Sequence, residues 1–224
     1  MASARKASIS ARKQPQQARS TDLVAAILQA AVQVLRTEGA QRFTTARVAE
    51  KAGVSIGSLY QYFPNKAAIL FRLQSDEWQQ TTDLLHGILD DKGRPPLLRL
   101  RALVHAFLQS ECDEAGVRGA LDDAAPLYRD APESKQAQAR SRRAMLAFIR
   151  EALPNAADSE RARAADLIKT TLSQVGKHFS DTPRSRAEIA AYADAMADMF
   201  CAYLERAGAR QRHRAGTSSR VSPR

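Results

Sequence analysis

Between Phe43 and Lys66 the chain reads FTTARVAEKAGVSIGSLYQYFPNK, two short helical segments meeting at Ala52-Gly53-Val54-Ser55. The first spans about Thr45 to Ala52. The second spans about Ile56 to Phe63, where Pro64 and Asn65 break it. Gly53 suits the positive φ of a sharp turn, and Ser55 is placed to cap the second helix by accepting a backbone N–H. Val48, Ala49, Val54, Leu59 and Phe63 fall where a three-helix core would bury them. The small Ala49 and Ala52 allow the two helices a close approach. This is the anatomy of a helix-turn-helix, whose second helix enters the major groove.

The rest of the chain reads as helix, without the alternation expected of strands. A first helix from about Ser20 to Thr37 carries the stripe Leu23, Ile27, Ala30, Ala31, Val34 and Leu35 and ends at Gly39. A long one runs from Lys66 to about Leu89, followed by the turn Lys92-Gly93-Arg94-Pro95-Pro96. Further helices are expected near 96–113, 117–128, 134–152, 159–179 and 185–207. The expected fold is all-α. A disordered basic arm (1–19) precedes a three-helix DNA-binding domain (20–66), a larger helical domain (67–207), to which the resemblance given below assigns ligand binding and dimerisation, and a disordered basic tail (208–224).

The formal charge of +10 over 224 residues is unevenly placed. Residues 1–19 hold Arg5, Lys6, Arg12, Lys13 and Arg19, and residues 206–224 hold six arginines, with no acid in either stretch. Without these eleven cations the remainder is close to neutral. Basic tails on a near-neutral body suit a polyanionic partner, and also suit plain solubility. No apolar run approaches the ~18 residues that span a bilayer. The polar start of the chain has no export signal, so the cytoplasm is the expected compartment and no membrane partner is expected. Cys112 and Cys201 lack metal or disulfide spacing and read as small core residues. With no phosphate-binding Gly loop, nucleophile elbow, HExxH or Cys/His ligand set, neither an enzyme nor a cofactor is expected.

Thr44-Thr45, Val48-Ala49, Ala52-Gly53-Val54-Ser55, Ser58-Leu59-Tyr60, Tyr62-Phe63 and Asn65-Lys66, all in one register, resemble the DNA-binding signature of the TetR family. The resemblance covers Ser20 to Lys66. It implies a dimeric transcriptional regulator, a repressor that binds double-stranded, pseudo-palindromic operator DNA and responds to a small-molecule effector. The alternative is a regulator that answers a protein partner instead. The resemblance implies that Thr44 or Thr45 caps its helix and touches a phosphate. It implies that the hydroxyls of Ser55, Ser58, Tyr60 and Tyr62, with Lys66, also reach phosphates. The base-facing positions it implies are Arg47, Ile56, Gly57, Tyr60 and Gln61. Arg47 suits guanine O6/N7, Gln61 adenine N6/N7 and Ile56 thymine methyls, while Gly57 lets the helix come close. Tyr62 stands where many members carry histidine, and Ile56-Gly57 offers no side-chain hydrogen bond.

The C-terminal half is less explicit. Ile168 and Val175 on one helix, and Ile189, Met196, Phe200 and Tyr203 on the last, follow helical spacing, with Tyr192 and Met199 widening the second stripe. Such stripes cover either the monomer's own core or, as the family implies, a second subunit in a homodimeric four-helix bundle. Trp78, Phe107, Glu111, Cys112, Tyr128, Met145 and Phe148 are the candidates for an effector pocket. Each taken alone reads as core or surface.

Overall fold

The computed structural model describes residues 18–124 and 132–218, with side chains for 20–121, 135, 136 and 138–210. Among the described residues there are nine helices and no strand: α1 (Ala18–Arg42), α2 (Thr45–Ala52), α3 (Ile56–Tyr62), α4 (Lys66–Leu89), α5 (Pro96–Asp113), α6 (Ala115–Ala124), α7 (Pro132–Ala152), α8 (Asp158–Ser180) and α9 (Arg186–Ser218). No helix among them is long and apolar enough to cross a membrane. α9 continues to Ser218, past its expected end at 207, so the segment 208–218 is helix where a disordered tail was expected. The N-terminal arm falls outside the described residues except at its last two positions, which open α1.

The described chain forms two units, and their limits differ from the expected boundary at 66. The first takes the residues up to Gln80 and those of 116–136; the second takes Thr81–Ala115 and the residues from Ala137 onward. The first core is built on α1, whose stripe Val24, Ile27, Ala30, Ala31, Val34 and Leu35 is buried. Phe43, Val48, Ala49, Leu59 and Phe63 close over it, joined by Ile69 and Leu70 of α4 and Leu121 of α6. Glu77 of α4 and Arg118 of α6 add an ion pair at 3.0 Å. Two glycines shape this unit. Gly39 (φ 73°, ψ 174°) breaks α1 in a region that residues with a Cβ scarcely enter. Gly53 (φ 67°, ψ 29°) ends α2, and the Val54 N–H returns to the Ala49 carbonyl at 3.0 Å, closing the turn.

In the second unit α5 packs along α9 and across α8. Its core joins Leu100, Leu103, Val104 and Leu108 of α5 to Phe148 and Ile149 of α7, Ile168 and Leu172 of α8, and Ala193, Met196, Phe200 and Leu204 of α9. At Gly176 a Cβ would sit 2.8 Å from Phe107 Cε1, so only glycine admits α5 this close to α8. Arg99 is 1% exposed. Its guanidinium donates to the carbonyl of Leu89, capping the C-terminus of α4, and to Glu151 of α7, and it lies 5.7 Å from the centre of the Phe148 ring. Glu151 also accepts from Lys92 Nζ at 2.6 Å.

The Lys92 ammonium, and after it the Arg99 guanidinium, hold the Glu151 carboxyl below the ordinary glutamate range. A depressed folded-state pKa gives stability that is present above the ordinary glutamate value and lost as pH falls through the lowered one. Glu151→Gln is therefore expected to lower the melting temperature at pH 7. The difference from wild type should shrink in acid, as the wild-type carboxylate protonates. Melting curves at pH 7 and pH 3 check this, and a difference equal at both pH values would refute it.

Candidate nucleic-acid interface

Caps and hydroxyl contacts hold the helix-turn-helix in place. Thr44 is the N-cap of α2, its Oγ1 accepting the Arg47 N–H at 3.3 Å. Thr45 Oγ1 and the Tyr60 hydroxyl share a hydrogen bond at 3.1 Å, joining the start of α2 to the middle of α3. Ser55 caps α3, accepting the Ser58 N–H at 3.0 Å, and the two serine hydroxyls meet at 2.8 Å. Asn65 opens α4 by accepting the Ala68 N–H at 2.9 Å, which leaves Lys66 exposed on its first turn.

With Leu59 and Phe63 turned into the core, α3 presents Ile56 (42% exposed), Gly57, Tyr60 (41% exposed) and Gln61 outward. This face is apolar at one end and carries a hydroxyl and a carboxamide at the other. A Cβ at Gly57 would meet only Ser55 Oγ, at 3.8 Å, so the protein's own packing does not require glycine there.

Two expected contacts come out differently. Tyr62 is buried with the core, not set on the phosphate-facing surface. α3 is barely two turns long, and positions 59, 62 and 63 lie on its inward side, so the ring of Tyr62 packs beside Phe63. Arg47 is not free. Its guanidinium forms an ion pair with Glu38, just before the Gly39 break in α1, and donates to the carbonyl of Arg42, the last residue of α1, at 3.0 Å. Glu38 escapes a sequence reading because it lies nine positions away in sequence, and nothing local says which side chain the turn at Gly39 brings to Arg47.

The described candidate effector residues fall in both units. Trp78 packs against the core of the first unit. Met145 and Phe148 are buried in the core of the second, flanked by half-buried Phe107 and Cys112. Glu111 is buried, and its Cγ would lie 3.4 Å from a Cβ at Gly176. Burial pushes the Cys112 thiol above its ordinary pKa, leaving it a poor nucleophile. Tyr128 lies outside the described residues.

The expected dimer seam is also corrected. Ile168, Ile189, Met196 and Phe200 are buried in the core of their own chain, and Val175 and Tyr203 are half-buried against it. Four of these six are thus covered by the chain itself, and two are covered in part. A second stripe on α9 is open: Tyr192 (38% exposed), Ala195, Met199 (52% exposed) and Ala202. On α8, Leu167 is 47% exposed.

A helix-turn-helix unit joined to a helical unit through α4 defines a class of bacterial regulators. Residues 27–73 match the family model described as "Bacterial regulatory proteins, tetR family", and residues 95–207 match "Tetracyclin repressor-like, C-terminal domain". The chain belongs to the TetR family. It is 35% identical over 105 residues to the nucleoid occlusion factor SlmA of Vibrio campbellii, covering 46% of this chain and 53% of that protein. It is 39% identical over 83 residues to SlmA of Photobacterium profundum, covering 37% and 42%. The chain thus spans about half the length of the curated relatives it matches. Among solved structures, the fatty acid degradation regulator FadR from Bacillus halodurans superposes with a TM-score of 0.63 at 16% identity, over 84% of this chain and 96% of that one. SmeT, the repressor of the Stenotrophomonas maltophilia multidrug efflux pump SmeDEF, gives 0.62 at 20% identity, over 80% and 89%. These two share the fold.

Proposed function

We propose that this chain is a transcriptional regulator that binds a pseudo-palindromic DNA duplex as a homodimer and represses the promoter it occupies. The observation that carries this reading is the outward face of α3, Ile56-Gly57-Tyr60-Gln61, held in place by the Ser55 cap and the Thr45–Tyr60 hydrogen bond. Ile56 contacts thymine methyls, Gln61 reads adenine, and Lys66, Thr44 and Ser58 set the register on phosphates. Selection of bound genomic fragments tests the reading. It should yield two half-sites in inverted repeat, centred roughly 34–36 Å apart or a multiple of that. A pool with no enriched sequence would overturn it.

The roles of single residues separate in the same assay. Lys66→Ala is expected to weaken binding to every duplex by a similar factor, because a phosphate contact carries no sequence information. Gln61→Ala is expected to relax preference at one base pair per half-site, by roughly 1–3 kcal/mol. An unchanged base-preference profile for Gln61→Ala would remove it from the readout.

Effector control is a second layer of the proposal. A small molecule held near Phe107, Glu111 and Cys112 would bias the DNA-binding state. The alternative, a regulator that answers a protein partner without small-molecule input, draws support from the similarity to proteins named nucleoid occlusion factor. Thermal shift against a metabolite library separates the two, since a ligand that binds the folded state raises the melting temperature.

A further inference from the structure

The pairing of Arg47 with Glu38 places an acid directly against the one arginine of the helix-turn-helix. Gly39 turns the chain immediately after Glu38, and the Arg42 carbonyl then joins the Glu38 carboxylate around the same guanidinium. Both side chains are about one-third exposed. An ion pair at that exposure is screened and readily exchanged. A guanidinium held by a carboxylate and a carbonyl is neutralised in place, and adds no free cation for DNA phosphates to attract.

We propose that Glu38 is a specificity-determining residue of the DNA interface: it retains Arg47 on random DNA and releases it only where α3 is seated on a matching site. This rests on the DNA-binding reading above. Non-specific affinity comes almost wholly from free lysine and arginine that displace counterions. An arginine kept by its own carboxylate contributes little to that affinity. At a matching site the seated helix presents Arg47 with a guanine edge, whose two acceptors replace the carboxylate and the carbonyl together. The pair thereby lowers the background affinity more than the operator affinity, and the ratio between them widens.

The test uses the full chain with E38Q, R47A, the E38Q/R47A double variant and E50Q, on the selected operator and on a random-sequence duplex of equal length. Glu50 is exposed on α2, so E50Q removes the same charge without touching the pair. E38Q is expected to raise random-duplex affinity roughly 1.5- to 5-fold. Its log–log salt slope should steepen by about 0.9 for each arginine freed. The operator should gain less. The E38Q gain should disappear in the R47A background and exceed that of E50Q. A gain no larger than that of E50Q, or one that survives in R47A, overturns the role of Glu38. R47A that binds both duplexes as wild type does shows that Arg47 makes no contact, and the proposal fails with it. A wild-type chain that enriches no sequence overturns the DNA-binding reading itself. Melting curves confirm that each variant is folded.

Discussion

Met199→Glu is expected to give a folded chain that sediments as a monomer at micromolar concentration and binds its operator at least about 100-fold more weakly. Met199 is 52% exposed in the isolated chain, on a stripe with Tyr192, Ala195 and Ala202. The alanines keep this face low, so that a second helix can approach closely. A two-fold interface is self-complementary, so the stripe would meet its own copy or the neighbouring α8 face around Leu167. A glutamate at its centre would then be buried twice, opposite apolar surface, which costs several kcal/mol. The monomer's own core is untouched, because the side chain points away from it. A monomer contacts one half-site only and loses the cooperativity that a duplex with two half-sites confers. Sedimentation, circular dichroism and gel shift on one sample check the three parts together. A dimer that persists in Met199→Glu, or a wild-type chain that sediments as a monomer, would remove this stripe from the interface.

Phe200→Glu, one residue further along, is expected to unfold the second unit. Phe200 is 2% exposed, in the core formed with α5, α7 and α8. Losing a buried phenylalanine alone costs ~3–5 kcal/mol. A buried carboxylate without a partner adds several more, unless it protonates. The total is comparable to the whole stability of an ordinary domain, about 5–15 kcal/mol. The expected result is loss of the cooperative thermal transition of the second unit, with rapid proteolysis of its helices. A Phe200→Glu chain that melts cooperatively as a stable monomer would contradict the inward placement of this stripe.

These two neighbours show where the sequence was legible. The helix count and most boundaries follow from glycine and proline punctuation and from helical periodicity, which are local signals. The helix-turn-helix is local too, and its caps, its turn glycine and the outward face of α3 lie as the residue types require. What failed was non-local. α9 has two apolar stripes, and only the packing of α5 and α8 against it decides which one is covered. The division between the two units falls inside α4, at Gln80, where no glycine or proline marks it in the sequence. Trp78, read as a pocket residue, lies on the near side of that limit. Tyr62 was misplaced because a helix of under two turns gives too few positions to fix its inward face from periodicity alone.

The open space at Gly57 bears on how such a protein changes its target over time. A Cβ there would meet nothing closer than 3.8 Å, and the backbone at this position is ordinary helix. Replacing the glycine would, if anything, firm up α3, since glycine in a helix is about 0.5–1 kcal/mol less favourable than alanine. Folding therefore leaves room for a Cβ at a position that, on the function proposed above, faces the groove. A duplicated copy of this gene needs only one codon change at 57 to try a new side chain against DNA, without first acquiring a compensating change elsewhere. If α3 reads DNA as proposed, position 57 is a site of cheap divergence: paralogues could part company in the promoters they recognise while their cores stay the same.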